Sequence, residues 1–241
     1  MACSADYWSR TRKLLGDAHT AALARRRVLI VGTGGVGGWC AEALVRSGIR
    51  QLTLVDSDRV AASNVNRQVM ALPATVGELK VEALKRLLLA INPEADIAAY
   101  AVRYTPETPA EAPFDFSHYD VVVDAIDSVD CKAALIRAVL AVPTVTLYSS
   151  MGAARRVDPF RLRHTPFSKV AGDGLARALR QRFKKEGAFP CRPFTCVWSE
   201  EPPRESPPDD PDPRAFGSLM PVTASFGLAL ASLVLGCKRK E

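Results

Sequence analysis

The chain has 241 residues, 48% of them apolar, and a formal net charge of +6. That content is enough to bury a large core and suits one enlarged α/β domain. Six cysteines, at positions 3, 40, 131, 191, 196 and 237, form no C-x-x-C pair, so neither a zinc tetrahedron nor a disulfide framework is expected.

Residues 1–27 read as an N-terminal arm. Apolar side chains are scattered among charges there and Arg25-Arg26-Arg27 abut the first strand, so no signal peptide is expected and the cytoplasm is the expected location. Val28-Leu29-Ile30-Val31 is short, β-branched and uninterrupted, as a strand covered on both faces of a parallel sheet should be. Gly32, Gly34 and Gly37 then follow G-x-G-x-x-G spacing: a tight turn, a close approach of backbone to phosphate, and close helix packing. A helix is predicted from about Val36 to Ser47, and its free N–H groups and dipole make the turn an anion site. Leu52 to Asp56 reads as the next strand, and Asp56 stands where a carboxylate can accept hydrogen bonds from ribose hydroxyls.

The usual owner of such a cradle is a nicotinamide dehydrogenase, which has no need of the polar stretch Ser63-Asn64-Val65-Asn66-Arg67-Gln68 beyond the second strand. An Asn and an Arg at this place can hold a triphosphate, to which Arg is suited by bidentate contacts. Lys80, near the start of a helix predicted over about Gly77 to Ala90, adds a second cation. The alternative for Arg67 and Lys80 is a solvated helix face. A further strand, Asp120 to Ile126, leads to Asp127, so Asp56 and Asp127 can face one crevice beyond the strand ends. Asp127 is thereby a candidate Mg²⁺ ligand, while Asp124, inside the strand, reads as structural.

Charge is regional. Residues 1–154 carry sixteen Lys or Arg against sixteen Asp or Glu, whereas residues 155–192 carry eleven against three. Arg155, Arg156, Arg177, Arg180 and Lys184 in that surplus are candidate RNA contacts, whose binding would weaken steeply with salt. Arg177, Arg180 and Lys184 also recur at helical spacing, so one exposed, solvated helix face is the competing reading. Residues 200–214 hold six prolines and six acids and read as a mobile loop. Residues 219–236 are apolar and precede Lys238-Arg239-Lys240. At the lower limit of length for a membrane span, this segment leaves weak membrane association open, but a helix packed on the sheet is favoured and stable insertion is not expected.

Gly32-Thr33-Gly34-Gly35-Val36-Gly37, Asp56-Ser57-Asp58, Ser63 to Gln68, Lys80 and Asp124-Ala125-Ile126-Asp127-Ser128 together resemble the adenylating family of ThiF, MoeB and the ubiquitin-activating enzymes. The resemblance implies a Rossmann-like, doubly wound, mostly parallel α/β sheet with a C-terminal extension. On that pattern, residues 28–154 form the nucleotide-binding core and 155–241 a basic substrate-binding part. It also implies ATP held by Gly32, Gly34, Gly35, Gly37, Asp56, Asp58, Asn64, Arg67, Gln68 and Lys80, with Mg²⁺ on Asp127. Arg10, in Trp8-Ser9-Arg10-Thr11, matches an arginine that this family inserts into the neighbouring subunit's site, which implies a homodimer.

Lys132-Ala133-Ala134-Leu135-Ile136, Gly172-Asp173-Gly174-Leu175-Ala176-Arg177 and Val222-Thr223-Ala224-Ser225-Phe226-Gly227 extend the likeness, within that family, to the tRNA threonylcarbamoyladenosine dehydratases. The implied reaction activates a threonyl carboxylate on tRNA as an acyl adenylate and closes a ring with release of AMP. Arg10, Arg67, Lys80 and Asp127 would be its catalytic residues. Relatives commonly carry a cysteine shortly before Phe216-Gly217; this chain has none there, which counts against a thioester step and leaves any sulfur-transfer partner open. The alternatives are an activator of a sulfur-carrier or ubiquitin-like protein, and a non-catalytic nucleotide-sensing or RNA-binding module.

Overall fold

The computed structural model of the chain describes residues 7–109, 111, 113–207, 212 and 216–236. Cys3, Cys237, Lys238, Arg239, Lys240 and residues 208–211 and 213–214 of the proline-rich stretch lie outside the described residues.

Two short helices, α1 (Ser9–Leu15) and α2 (Asp17–Arg25), lead into β1 (Arg27–Val31), α3 (Gly37–Arg46) and β2 (Gln51–Val55). Then come α4 (Lys80–Ile91), β3 (Asp96–Tyr100), β4 (Val121–Asp124), α5 (Val129–Leu140) and β5 (Thr146–Ser150). The basic third supplies β6 (Leu162–Pro166), α6 (Gly174–Glu186) and β7 (Thr195–Ser199), and the chain closes with α7 (Met220–Leu235). All seven strands form one sheet, ordered β3-β2-β1-β4-β5-β7-β6. Every pairing is parallel except β6 with β7.

The uninterrupted apolar run of β1 has its reason in the core. Val28 and Ile30 point into the cluster formed with α3, α4 and α7, while Leu29 and Val31 point into the opposite cluster with α5 and α6. Alternate side chains of a strand face opposite sides of its sheet, so a strand covered twice must be apolar throughout. The expected doubly wound α/β sheet is therefore present, and its last two strands come from the basic third of the chain.

Several expectations need correction. The helix expected from Gly77 begins at Lys80, because Gly77 has φ +93° and Leu79 is extended, which places a turn before the first helical residue. The strand expected over Asp120 to Ile126 ends at Asp124, whose Oδ1 accepts from the Ile126 amide at 3.1 Å and turns the chain. Residues 200–204 are tied down rather than loose: the Glu200 amide donates to the Arg161 carbonyl, and the Glu201 carboxylate accepts from the Val157 and Asp158 amides. The apolar 219–236 segment is a helix whose Val222, Phe226, Leu230 and Val234 are buried in the α3 and α4 cluster. No helix among the described residues is long and apolar enough to cross a membrane.

Helices α3 and α7 touch along much of their lengths. A Cβ added at Gly227 would collide with the Val36 carbonyl oxygen and lie 2.9 Å from the Cys40 amide nitrogen. Since both are backbone atoms that cannot move aside, Gly227→Val should cost about 1–3 kcal/mol. At this chain length that lowers the melting temperature by roughly 2–4 °C per kcal/mol. Thermal denaturation followed by circular dichroism checks this.

Candidate active site

Register sets the site. Val31, the last residue of β1, pairs with Val55 of β2 on one side and Asp124 of β4 on the other. The three exits, Gly32, Asp56 and Ala125, therefore leave the sheet side by side. The Gly32 amide donates to the Val55 carbonyl at 2.8 Å, and the Ala125 amide to the Val31 carbonyl at 2.9 Å. Because the chain order reverses across β1, with β2 on one side and β4 on the other, a crevice opens beyond these carboxyl ends.

The glycine turn closes over it. Gly32 has φ +91°, and a Cβ there would meet the Ala125 carbonyl oxygen at 2.6 Å; a Cβ at Gly37 would collide with the Gly32 carbonyl oxygen. No side chain caps the start of α3, so backbone N–H groups there, apart from that of Gly38, which donates to the Gly34 carbonyl at 3.0 Å, are available to an anion. Asp56 braces the turn, accepting on Oδ2 from the Thr33 amide at 2.8 Å and from the Thr33 hydroxyl at 3.2 Å. Its Oδ1 accepts from the Asp58 amide at 2.9 Å. A carboxylate offers about four lone-pair sites, so acceptor capacity remains for hydroxyl groups.

Around the turn stand the polar residues read from sequence. Gln68 is buried beside Gly34, and its Oε1 has no hydrogen-bond partner among the described residues. An unpaired buried acceptor at the mouth of a cradle suits a ligand that donates to it. Asn64 is buried too, with Oδ1 accepting from the Ala61 amide at 3.0 Å. Arg67 donates from Nη1 to the Ser63 carbonyl and to Asn66 Oδ1, and no described residue bonds its Nε or Nη2. Trp39 of α3 donates from Nε1 to the Arg67 carbonyl at 2.9 Å, a brace that the sequence reading missed. Lys80 is 7% exposed, so the solvated-face alternative fails for it. Its Nζ lies 2.7 Å from Asp58 Oδ2. Asp58 is largely exposed, and such a half-solvated pair holds little energy that a phosphate could not replace.

Asp127 lies exposed three residues past β4 and bonds no described residue. No group of three or more metal-ligating side chains exists among the described residues. A single carboxylate beside a polyphosphate nevertheless suits Mg²⁺, which keeps several waters. Arg10 is exposed on α1. The neighbouring Trp8 packs on Gly48 at the far end of α3 from the glycine turn, so the fold does not bring Arg10 into its own chain's crevice.

Beneath the crevice runs a buried ion pair. Lys132 and Asp124 are both fully buried, with Nζ 2.8 Å from Asp124 Oδ2 and 3.0 Å from the Ile126 carbonyl. Ser149 donates its hydroxyl to the same Oδ2 at 2.7 Å. Asp124 thus has the structural surroundings expected of it, although it ends the strand. Lys132 ties the Ala125–Ile126 backbone to α5.

The basic region needs revision. Arg156 is 4% exposed, and its guanidinium is spent on Asp173 at 3.1 Å, the Glu201 carbonyl at 3.0 Å and the Gly152 carbonyl. It cannot meet RNA without breaking these. Arg180 donates to the Phe167 and Val170 carbonyls and lies over the Phe167 ring, so it does not share the exposed face of Arg177 and Lys184. Arg155 is half-buried beside Phe216, while Arg161, Arg163 and Lys169 are exposed. Cys40 and Cys196 are buried, and burial pushes both thiols up from the ordinary range. Cys131 is buried and Cys191 exposed.

A model of the ThiF family matches residues 8–237. The tRNA threonylcarbamoyladenosine dehydratase of Bacillus subtilis is 35% identical over 95% of this chain and 91% of its own length. That of Escherichia coli is 34% identical over 93% and 90%. The solved structure of the E. coli enzyme, TcdA, in complex with AMP superposes with a TM-score of 0.84 at 34% identity, covering 96% of this chain and 94% of that one. Its complex with ATP gives 0.83 at 33% identity over 98% and 96%.

Two outcomes test this geometry. Lys132→Met leaves Asp124 charged and buried without its partner, and should lower unfolding stability by about 3–5 kcal/mol in urea titration; the double variant with Asp124→Asn should lose less. Brief iodoacetamide treatment of the native chain at neutral pH should label Cys191, and Cys40 and Cys196 only after unfolding, as peptide mass mapping would reveal.

Proposed function

The chain belongs to the ThiF family, and on that premise we propose that it is an ATP-dependent tRNA threonylcarbamoyladenosine dehydratase. The observation that carries this is near-full-length likeness to two enzymes of that name, at 34–35% identity, with the ThiF-type nucleotide motifs converging on one crevice. ATP fits the residues present: an uncapped helix start, glycines that leave no room for side chains, and an unpaired Gln68 acceptor.

In this reading the phosphates lie against Gly34, Gly35 and the start of α3, and Asp56 accepts from the ribose hydroxyls. Arg67 and the Asn64 amide group face the phosphate chain, and Lys80 exchanges Asp58 for a phosphate oxygen. The threonyl carboxylate of the modified adenosine attacks the α-phosphorus, the bond to the β-phosphate oxygen breaks, and pyrophosphate leaves. Arg67 and Lys80 stabilise charge that grows in this transition state. Mg²⁺, held by Asp127 and the phosphates, would supply further charge stabilisation. The carbamoyl oxygen of the same side chain then attacks the activated carbonyl, loses the carbamoyl N–H proton to solvent, and expels AMP. Ring closure is fast because both groups belong to one molecule. No step requires a cysteine nucleophile, which agrees with the burial of Cys40, Cys131 and Cys196.

A homodimer belongs to the same reading: Arg10, turned away from its own crevice, would serve the neighbouring subunit's. The cytoplasm, where tRNA and ATP are both present, is the location that fits this reading. The tRNA would approach over exposed Arg177, Lys184 and their neighbours, with Arg156 supporting the fold beneath.

Mass spectrometry of digested tRNA carrying threonylcarbamoyladenosine, incubated with the chain and Mg-ATP, should reveal loss of one water from that nucleoside. Arg67→Ala or Lys80→Ala should slow the conversion about 100- to 1,000-fold. An unchanged nucleoside, with pyrophosphate exchange stimulated by a carrier protein, would overturn the assignment in favour of a sulfur-carrier activator. Arg177→Glu should weaken tRNA binding and flatten its salt dependence.

A further inference from the structure

Arg155 has φ +63°, the one positive value outside glycine among the described residues. Such strain persists only where the surroundings over-determine it, and it gathers at functional positions. Here the surroundings are plain. The Arg155 amide donates to the Gly217 carbonyl at 2.8 Å, and the Arg204 amide donates to the Arg155 carbonyl at 2.7 Å. The side chain's Nε donates to the Arg204 carbonyl at 2.7 Å. Held this way, the guanidinium carbon lies 5.5 Å from the centroid of the Phe216 ring.

Phe216 is 61% exposed. It stands two residues before Ser218, whose carbonyl accepts from Asn66 Nδ2 at 2.9 Å. Asn66 in turn accepts from Arg67 Nη1. The exposed aromatic is thus two hydrogen bonds away from the arginine assigned to the ATP phosphates. Five residues further along the chain from Arg155, Phe160 is 90% exposed, after a turn whose Val157 and Asp158 amides donate to the Glu201 carboxylate. Arg161 beside it is an exposed cation, and Arg163, also exposed, pairs with Glu200 at 2.9 Å.

A lone exposed aromatic needs no explanation. A ring paired with a strained arginine, joined to the phosphate loop and set in a cationic surface, is a different matter. Unpaired nucleic acid bases are held by aromatic faces, by guanidinium planes and by a basic track for the backbone. We propose that Phe216 and Arg155 form a stacking platform for an unpaired base of the tRNA loop beside the ATP site, with Phe160 as a second face for a neighbouring base. This deepens the dehydratase reading and rests on it.

The test uses the full chain and a stem-loop RNA with 2-aminopurine, whose fluorescence is quenched by stacking, in its unpaired loop. The wild-type chain should bind and quench. Phe216→Leu, which keeps the bulk but loses the π face, should bind about 5- to 100-fold more weakly and not quench, whereas Phe216→Tyr should recover both. Arg155→Lys, retaining charge without a stacking plane, should weaken binding independently. ATP binding, followed by calorimetry, should be unaltered in all three, which separates loss of the platform from misfolding. Should Phe216→Leu and Arg155→Lys bind and quench like the wild type, the platform is overturned while the dehydratase stands. A wild-type chain that binds ATP but neither the stem-loop nor tRNA would overturn the dehydratase reading and the platform with it.

Discussion

The crevice exists because α3 can begin against the end of β1. The backbone at Gly37 comes so close to the Gly32 carbonyl that a single methyl group would not fit. From the other side Gly227 lets α7 press on the same turn of α3 at Val36 and Cys40. A helix clamped between sheet and helix cannot tilt or slide without overlap, so its N–H groups keep one direction. The anion site is therefore a consequence of close packing at two glycines.

Around that fixed helix the polar groups follow a division of labour. Asp56 uses part of its acceptor capacity to hold Thr33 and Asp58, and keeps the remainder for a ligand. Lys132 and Asp124 satisfy each other under the floor of the crevice, where burial of either charge alone would be costly. Lys80 differs, since its partner Asp58 reaches into solvent and can be displaced. One lysine thus stiffens the fold, and the other remains able to meet phosphate.

The basic third is divided in the same way. Arg156, Arg180 and Arg192 bond backbone carbonyls of their own chain, so they hold loops and helix ends in place. Exposed Arg161, Lys169, Arg177 and Lys184 carry the surface charge, while Arg163 is paired with Glu200. Because β6 and β7 continue the nucleotide-binding sheet, this surface is rigidly joined to the crevice. An RNA bound there would meet the activated nucleotide without a hinge between them.

By itself the sequence determined the cradle. Val28 to Val31 and the spaced glycines are local signals, since a strand covered on both faces and a turn without Cβ atoms permit few other residues, whereas Arg67 and Lys80 stayed open against a solvated helix face until burial excluded it for Lys80. The apolar 219–236 segment left two readings open, and only packing against α3 chose between them. Strands β3, β5, β6 and β7 were not read from the sequence: Leu162–Pro166 has no apolar pattern, Asp96–Tyr100 is a short apolar run without alternation, and all four draw their stability from neighbours distant in the chain. The regional surplus of charge was plain in the sequence, yet its use was not. Whether an arginine faces solvent or a carbonyl depends on where Asp173, Glu201 and Phe167 come to rest, and the tertiary structure alone decides that.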